Sequence, residues 1–233
     1  MYSLPSPYNV ALERNSVIER VREALELKDF VILDTETTGL ERNDEIIQIG
    51  IIDPDGNTLL DTLIQTTRKS IPSASTAIHG ITKKDLKDAP RWVHIRKKVE
   101  SICEGKRVFI YNADFDTRLI NQTCDNHSVP YLKLNTVCVM KLWSCIVGEW
   151  NDSKGNWKWQ RLPDGDHSAI GDCIATLKVL HRIGSTELMP VPEPEPTESP
   201  EVENLRSTLQ ITGILIAIFI ILSALSQCAK PTP

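Results

Sequence analysis

Four acidic residues and one histidine stand in short contexts that could build a site for chemistry. They are Asp34, Glu36, Asp116, His167 and Asp172. Carboxylate oxygens are the ligands that hard divalent cations such as Mg²⁺ prefer, and a histidine near neutral pH can take a proton from water. Each residue taken alone is more simply a solvated turn or surface residue. The set therefore predicts a metal site with a base beside it only if the fold brings its members together.

The first context is FVILDTETTGL, in which four apolar residues predict a buried strand from Phe30 to Leu33. Asp34 and Glu36 follow with a spacing of two, which puts both side chains on one face of an extended backbone. Carboxylates this close repel each other unless a cation joins them. Thr37, Thr38 and Gly39 then supply hydroxyls and a permissive backbone. The alternative is an ordinary polar turn after a strand.

The second context is VFIYNADFDTRLI, where a predicted strand from Val108 to Tyr111 leads into a helix from Phe115. Two acids, Asp114 and Asp116, could each be a metal ligand, and their spacing does not choose between them. The alternative for either is a helix N-cap or a first-turn carboxylate, which is a structural role. We expect one of the two to have that role.

The third context is DHSAIGDC, which contains His167 and Asp172 at the start of a predicted helix from Ala169 to Leu180. Within one helix, residues five apart point about 140° away from each other. The two side chains can therefore share a site only if His167 lies in the loop before the helix. Asp164, Gly165 and Asp166 favour such a loop. The alternatives are a capping or solvated histidine and an acid on the helix surface.

The remaining pattern predicts an α/β fold with a mixed five-stranded sheet, one antiparallel hairpin and flanking helices. Residues 16–28 predict a first helix with Ser16 as its N-cap, and another begins at Pro90. Further strands are predicted at Ile46–Ile52, 57–66 and Leu132–Val137, with Asp53-Pro-Asp-Gly56 as the turn of the hairpin.

Taken in order, D-x-E-T-T-G after a strand, N-A-x-F-D and H-x-x-x-x-D resemble the three motifs of the DEDDh family of 3′-to-5′ exonucleases. That family includes the proofreading epsilon subunit of DNA polymerase III and has a ribonuclease H-like fold. The resemblance covers about residues 28–184. It includes His79-Gly80-Ile81-Thr82, which is similar to the H-G-I-T segment of the family.

The resemblance implies a set of roles for these residues. Asp34, Glu36 and Asp172 would bind two Mg²⁺ or Mn²⁺ ions, and Asp116 would complete the acidic set, partly through water. This places Asp116 rather than Asp114 in the site. His167 would be the general base. Two such ions can activate the attacking water and stabilise the departing 3′ oxygen.

By the same resemblance, Thr37, Thr38, Leu40 and His79 would bind the terminal nucleotide. The implied partner is a nucleic acid with a free 3′ end, and the implied reaction releases nucleoside monophosphates from single-stranded DNA. One alternative is a 3′-5′ exoribonuclease, including an oligoribonuclease-like enzyme. Another class is a catalytically silent nucleic-acid-binding protein held at a membrane, although the complete set of five residues argues against it. No protein partner is indicated.

Two further groups of residues could contact nucleic acid. Four of the five tryptophans fall within 17 residues, at 143, 150, 157 and 159. They could stack on bases, but packing of an irregular segment is the favoured interpretation, and W-K-W predicts a short strand with Trp157 and Trp159 on one face. Among the basic clusters, Lys83 and Lys84 are the preferred candidates for binding.

The C-terminal part has a different composition. Residues 190–204 contain five Pro, five Glu and no basic residue, which predicts an extended linker. Without those five acids, the 26 remaining acidic residues equal the 26 basic ones, so the body is not a basic surface that binds nucleic acid by overall charge. Six cysteines show no zinc spacing and are expected to be reduced structural thiols.

The chain after the linker predicts a membrane anchor. The 23 residues from Ser207 to Ala229 carry no charge and would reach about 34 Å as a helix, against a hydrocarbon core of about 30 Å. The expected organisation is an exonuclease domain over 1–189, a linker over 190–206, a transmembrane helix over 207–229 and a tail over 230–233. The lipid bilayer would be a partner through 207–229, with the exonuclease domain in the cytosol.

Overall fold

A mixed five-stranded sheet lies at the centre of the fold. The structure, a computed structural model, describes residues 2–194, and residues through Val191 belong to one unit. The strands are β1 Phe30–Thr37, β2 Ile46–Ile52, β3 Thr58–Leu63, β4 Arg107–Ile110 and β5 Asn135–Cys138, in the order β3-β2-β1-β4-β5. β1, β2 and β3 pair antiparallel, whereas β4 is parallel to both β1 and β5. The predicted mixed sheet with an antiparallel hairpin is confirmed.

Six helices and a small hairpin surround this sheet in the described part of the chain. The helices are α1 Pro7–Leu27, α2 Ser73–His79, α3 Trp92–Cys103, α4 Ala113–Asn126, α5 Val139–Val147 and α6 Ala169–Ser185. The hairpin consists of β6 Trp150–Asn151 and β7 Asn156–Trp157. α1, α5 and α6 pack on one face of the sheet, and α3 and α4 pack on the other.

The side chains of β1 alternate between the two cores, as the two-residue period of a strand requires. Phe30 and Ile32 belong to the core under α1, α5 and α6, whereas Val31 and Leu33 belong to the core under α3 and α4. The register of β1 against β2 is regular through Glu36 and shifts only between Glu36 and Thr37. The side chains of Asp34 and Glu36 therefore lie on the same face of the sheet as those of Phe30 and Ile32, the face that α6 covers.

β1 is longer than the strand beside it. Its pairing with β4 runs from Phe30 to Ile32, but its pairing with β2 continues to Thr37. The last residues of β1 thus lie beyond the β4 ladder, at the end of the sheet where α4 begins. Thr35 contacts α4 there through a hydrogen bond from its hydroxyl to Asp116.

Several boundaries differ from the sequence predictions. α1 begins at Pro7 rather than after Ser16, because the Ser6 hydroxyl accepts a hydrogen bond from the Asn9 amide and proline suits the first turn of a helix. β5 is displaced towards the C-terminus because its pairing with β4 starts at Asn135. The prediction did not include α2, which buries no residue, or α5.

The tryptophan-rich segment is partly packed and partly exposed. Trp150 and Trp157 meet edge to face with ring centroids 5.2 Å apart, and the Trp157 indole donates to Glu13 at 3.1 Å. The prediction that Trp159 shares the face of Trp157 is wrong, because β7 ends at Trp157. Trp157 is 8% exposed, whereas Trp159 is 65% exposed. The packing interpretation therefore holds for the hairpin but not for Trp159.

The predicted transmembrane helix requires a correction. Within residues 2–194, no helix is both long enough and apolar enough to cross a bilayer. Residues 207–229, on which the prediction rested, lie outside the described residues, as does most of the predicted linker. The anchor, the bilayer as a partner and the membrane localisation are therefore not supported, and we withdraw them.

Gly50 sets the distance between β2 and α6. It pairs with Asp34 across the sheet, and a Cβ placed on it would lie 2.8 Å from the carbonyl carbon of Ala169. Atoms of this kind do not approach so closely, and both sides of the contact are backbone. The first turn of α6 thus rests directly on the strand next to Asp34.

We expect Gly50→Ala to destabilise the protein by about 1–3 kcal/mol, because the added methyl group must push α6 away from β2. Denaturant unfolding measures the change. Gly184→Ala, at the other end of α6, is the matched control, since its Cβ would meet only the flexible end of Leu25. Equal stability changes in the two variants would contradict this account.

Candidate active site

Three carboxylates converge where β1 ends and α6 begins. Asp34 and Glu36 come from β1, and Asp172 comes from the first turn of α6. One carboxylate oxygen from each lies within 4.8 Å of the other two. Oxygens in this arrangement suit a hard divalent cation, which would also relieve their mutual repulsion.

The two acids at the start of α4 have different environments. Asp116 is buried and accepts a hydrogen bond from the Thr35 hydroxyl at 2.7 Å. Asp114 is exposed and forms an ion pair with Lys141 at 2.8 Å. The structure therefore places Asp116 beside the three converging carboxylates and Asp114 on the surface.

His167 lies in the loop before α6, as sharing a site with Asp172 requires. The backbone amides of Asp166 and His167 donate to the Asp172 carboxylate at 2.9 and 3.2 Å. His167 is exposed and has a φ of 60°, a left-handed conformation that is uncommon outside glycine. Ser168 caps α6 by accepting from the Gly171 amide. This loop is thus tied to Asp172 through its backbone, and within residues 2–194 the imidazole of His167 forms no hydrogen bond.

Burial and crowding make Asp34, Glu36 and Asp116 hard to ionise. Burial first, and then the charges of Asp172 and Asp116, raise the pKa of Glu36 to about 8. Burial also raises the pKa of Asp116 to about 7, against the opposing effect of the Thr35 hydrogen bond. The pKa of Asp34 is raised by burial and then by its acidic neighbours. Bound cations would reverse these shifts by supplying the missing positive charge.

His79 is held neutral at the edge of the site. Its Nδ1 accepts a hydrogen bond from the Ile81 amide at 3.0 Å, so the proton resides on Nε2, which faces the Thr37 carbonyl at 3.2 Å. Burial lowers the pKa of His79, the contact with Thr37 raises it, and the nearby His167 lowers it again. His79 therefore fixes the end of β1 to the segment after α2.

A cleft of about 430 Å³ opens beside Glu36. Its polar wall includes Thr37 and His79, and its apolar wall includes Leu40, Ile78 and Phe115. Leu40 and Ile78 are 71% and 59% exposed. Large exposed apolar side chains that converge on a polar site indicate a surface that binds a ligand.

Comparison with known proteins identifies the family. The sequence model of a family described as exonuclease, RNase T, matches residues 31–180. An uncharacterized exonuclease of Escherichia phage 186 is 36% identical over 188 residues, which cover 73% of this chain and 95% of the phage protein. The chain belongs to this exonuclease family. The predicted resemblance and the predicted enzyme class, an exonuclease and hence a phosphodiester hydrolase, are confirmed, and the 3′-to-5′ direction stays a prediction.

More distant relatives share part of their length with this exonuclease. An epsilon-like protein of DNA polymerase III from Rhodobacter capsulatus is 31% identical over 169 residues, covering 66% of this chain but 23% of that protein. Escherichia coli exonuclease I, solved with a dA16 oligonucleotide, shares the fold with a TM-score of 0.53 and 15% identity, over 66% of this chain and 42% of that one. The roles of individual residues in this exonuclease stay predictions.

Thr38 is the one predicted substrate residue that does not line the cleft. It is completely buried, and its hydroxyl donates to Asp44 at 2.7 Å and accepts from the Glu45 amide. A buried hydroxyl with both contacts satisfied has little left to offer a ligand. Thr38 instead supports residues 39–45, the Leu40 segment.

Two buried acids that the motifs did not reveal hold this segment in place. Asp44 accepts from Thr38 and from the Glu41 amide, and Glu45 accepts from the Thr66 hydroxyl at 2.6 Å and the Thr67 amide at 2.8 Å. Their signal in the sequence is a pair of acids directly before the apolar strand β2. Acids in that position are too common to be singled out without the fold.

α4 supports the Leu40 segment from the opposite side. The Gln122 amide donates to the carbonyls of Glu41 and Asp44 at 3.0 and 3.1 Å, and Arg118 donates to the Leu40 carbonyl at 3.4 Å. Ile78 and Phe115 were also missed as cleft residues. Phe115 belongs to the second motif, and Ile78 directly precedes His79. Both residues lie next to predicted site residues, but nothing in their own pattern predicts that they line the cleft.

Lys83 and Lys84, the basic residues preferred as binding candidates, have different environments. The Lys83 ammonium donates to the carbonyls of Thr66 and Arg68 at 3.1 and 2.6 Å. Lys83 is therefore committed to holding a loop. Lys84 is exposed, and its ammonium forms no hydrogen bond in the described part of the chain.

We expect Glu36→Gln to stabilise the metal-free protein at about pH 8 and to change its stability little at about pH 5. The native state binds the Glu36 proton more tightly than the unfolded state, so ionisation opposes folding as pH rises from about 4.5 to about 8. Glutamine has the same shape and no charge. Thermal unfolding in the presence of a chelator measures the difference.

Added Mn²⁺ should raise the melting temperature of the wild type more than that of Glu36→Gln, because the substitution removes an anionic ligand. Asp114→Asn is the matched control, since Asp114 is an exposed acid at the same end of the sheet, in the first turn of α4. A stabilisation by Glu36→Gln that is the same at both pH values would show that the charge of Glu36 is not the cause.

Proposed function

We propose that this exonuclease hydrolyses single-stranded DNA from its 3′ end with the help of divalent cations and releases nucleoside monophosphates. The observation that carries this proposal is the convergence of Asp34, Glu36 and Asp172 within 4.8 Å beside a cleft of nucleotide size. The cations neutralise an acidic site that would otherwise repel a phosphate group.

The donor set fits two Mg²⁺ or Mn²⁺ ions. Asp34 and Glu36 accept no hydrogen bond from the described residues that would lower their raised pKa values, so their oxygens are available as ligands. Asp172 is oriented by two backbone amides, and Asp116 by Thr35. When bound, the ions supply positive charge to the attacking and departing oxygens of the phosphodiester.

His167 is the proposed general base. Its backbone amide donates to the Asp172 carboxylate, and its imidazole forms no hydrogen bond with the described residues. The imidazole takes the proton that water loses as its oxygen bonds to phosphorus and the bond to the 3′ oxygen breaks. Because both ring nitrogens of His79 are engaged, Nδ1 by the Ile81 amide and Nε2 by the Thr37 carbonyl, His79 does not share this role.

The cleft beside Glu36 is the proposed site of the terminal nucleotide. Leu40, Ile78 and Phe115 offer apolar surface to a base, while Thr37 and His79 border the side that faces the carboxylates. A base can enter such a cleft only when it is unstacked from its neighbour. This requirement supports a preference for single-stranded ends. Exonuclease I of Escherichia coli, which shares the fold, was solved with a single-stranded dA16 oligonucleotide.

We expect the full-length wild type to release mononucleotides from the 3′ end of an unpaired DNA oligomer in Mg²⁺ or Mn²⁺, and faster than from an RNA oligomer of the same sequence. Asp34→Ala should abolish turnover and weaken Mn²⁺ binding. His167→Ala should lower kcat by about 10²–10⁴-fold while leaving Mn²⁺ binding nearly unchanged. Asp114→Ala is the control and should keep wild-type activity.

Product analysis and calorimetric Mn²⁺ titration give the two readouts. Equal loss of Mn²⁺ binding in Asp34→Ala and His167→Ala would refute the assigned roles. Faster degradation of the RNA oligomer would replace DNA with RNA as the substrate and leave the site assignment in place.

A further inference from the structure

Trp159 is an exposed aromatic residue for which the fold has no evident use. It follows the β6–β7 hairpin directly, and 65% of its surface is exposed. Its hairpin neighbours behave differently, because Trp157 is buried and Trp150 is packed against it. The segment thus packs two of its indoles against each other and presents a third to solvent.

The backbone beneath Trp159 is fixed on both sides. The Lys158 amide donates to the Glu149 carbonyl at 2.7 Å, which extends the hairpin contact. The Tyr111 hydroxyl donates to the Gln160 carbonyl at 3.0 Å. Tyr111 follows β4, at the end of the sheet where α4 brings in Asp116. Trp159 is therefore anchored near the catalytic end of the sheet.

The chain also limits how far Trp159 lies from the catalytic histidine. His167 lies eight positions after Trp159, so even a fully extended chain spans at most about 29 Å between them. This is a distance that a short single strand of nucleic acid covers. Trp159 thus lies within reach of a strand whose 3′ end occupies the cleft.

Lysines accompany the exposed indole. The Lys154 ammonium lies 5.6 Å from the ring centroid of Trp159, and Lys158 stands next to it in the chain. Together with Asn151 and Asn156 they form a shallow pocket. Lys158 lies 3.8 Å from Glu149, so the positive charge here is modest. Binding would depend more on the aromatic surface than on overall charge.

We propose that Trp159 and Lys154 form a stacking platform for an unpaired base of the substrate strand, upstream of the bond that is cleaved. Every base offers a π face, and a nearby ammonium complements the phosphate that follows it. This inference rests on the proposed function, because it assumes that a single strand leads into the cleft. It adds a second point of contact and implies that longer strands bind better than short ones.

The test compares Trp159→Ala and Trp159→Phe in the full-length protein with an oligo(dT) length series. For Trp159→Ala we expect KM to rise about 5-fold or more for long strands, with kcat and the KM of a dinucleotide unchanged. Trp159→Phe should retain most of the affinity, since phenylalanine still stacks. Tyr131→Ala, which removes another exposed aromatic side chain, should behave as the wild type.

Binding of a fluorescent oligo(dT) with Ca²⁺ in place of Mg²⁺ tests the platform without turnover. Weaker binding by Trp159→Ala than by wild type supports the platform even if no hydrolysis is found, in which case only the proposed function fails. Equal binding by the two proteins, no binding by the wild type, or a KM effect of the same size on the dinucleotide overturns it. If Trp159 instead contacts a protein partner, wild type and Trp159→Ala will bind oligo(dT) equally.

Discussion

Repulsion among acidic side chains is the constraint on which the rest of this structure depends. Four carboxylates meet at one end of the sheet, and three of them have pKa values raised first of all by burial. A flexible arrangement would relax by moving these groups apart. The fold prevents this by placing them on separate rigid elements: β1, which packs into both cores, α4, which packs into one, and α6, which packs into the other. The energy for assembling the site therefore comes from apolar packing well away from it.

The same side-chain chemistry serves two purposes in this protein, and hydrogen bonding distinguishes them. Glu45 is completely buried, and its two oxygens accept hydrogen bonds. The donors are the Thr66 hydroxyl, the Thr67 backbone amide and the Asn126 side-chain amide. Asp34 and Glu36 lack such donors in the described part of the chain. A buried carboxylate with its donors satisfied is a structural element, whereas one left without donors is expensive unless a cation binds. The acids beside β2 stabilise the Leu40 segment, and those on β1 remain available for chemistry.

The convergence of the candidate site residues was easier to predict than the elements around them. The spacing of Asp34 and Glu36 was sufficient because a strand has a strict two-residue period, and β1 keeps that period through Glu36. By contrast, α2 buries no side chain and so leaves no apolar pattern in the sequence. The start of β5 depends on Arg107 pairing with Asn135, a contact between distant parts of the chain. Thr38 resembled a substrate residue because the sequence does not reveal that Asp44 and Glu45 use its hydroxyl.

The balance of charge explains why the proposed binding depends on local features. Outside the Glu-rich segment, acidic and basic residues are equal in number, and Lys83, which seemed suited to bind phosphate, is committed to two backbone carbonyls. A uniform positive field is thus absent from the described domain, and the catalytic end of its sheet is acidic. Attraction for a polyanion must then come from bound cations at the carboxylates and from contacts that do not depend on net charge. Apolar side chains around the cleft and an exposed indole supply such contacts, because bases stack on them whatever the charge of the protein.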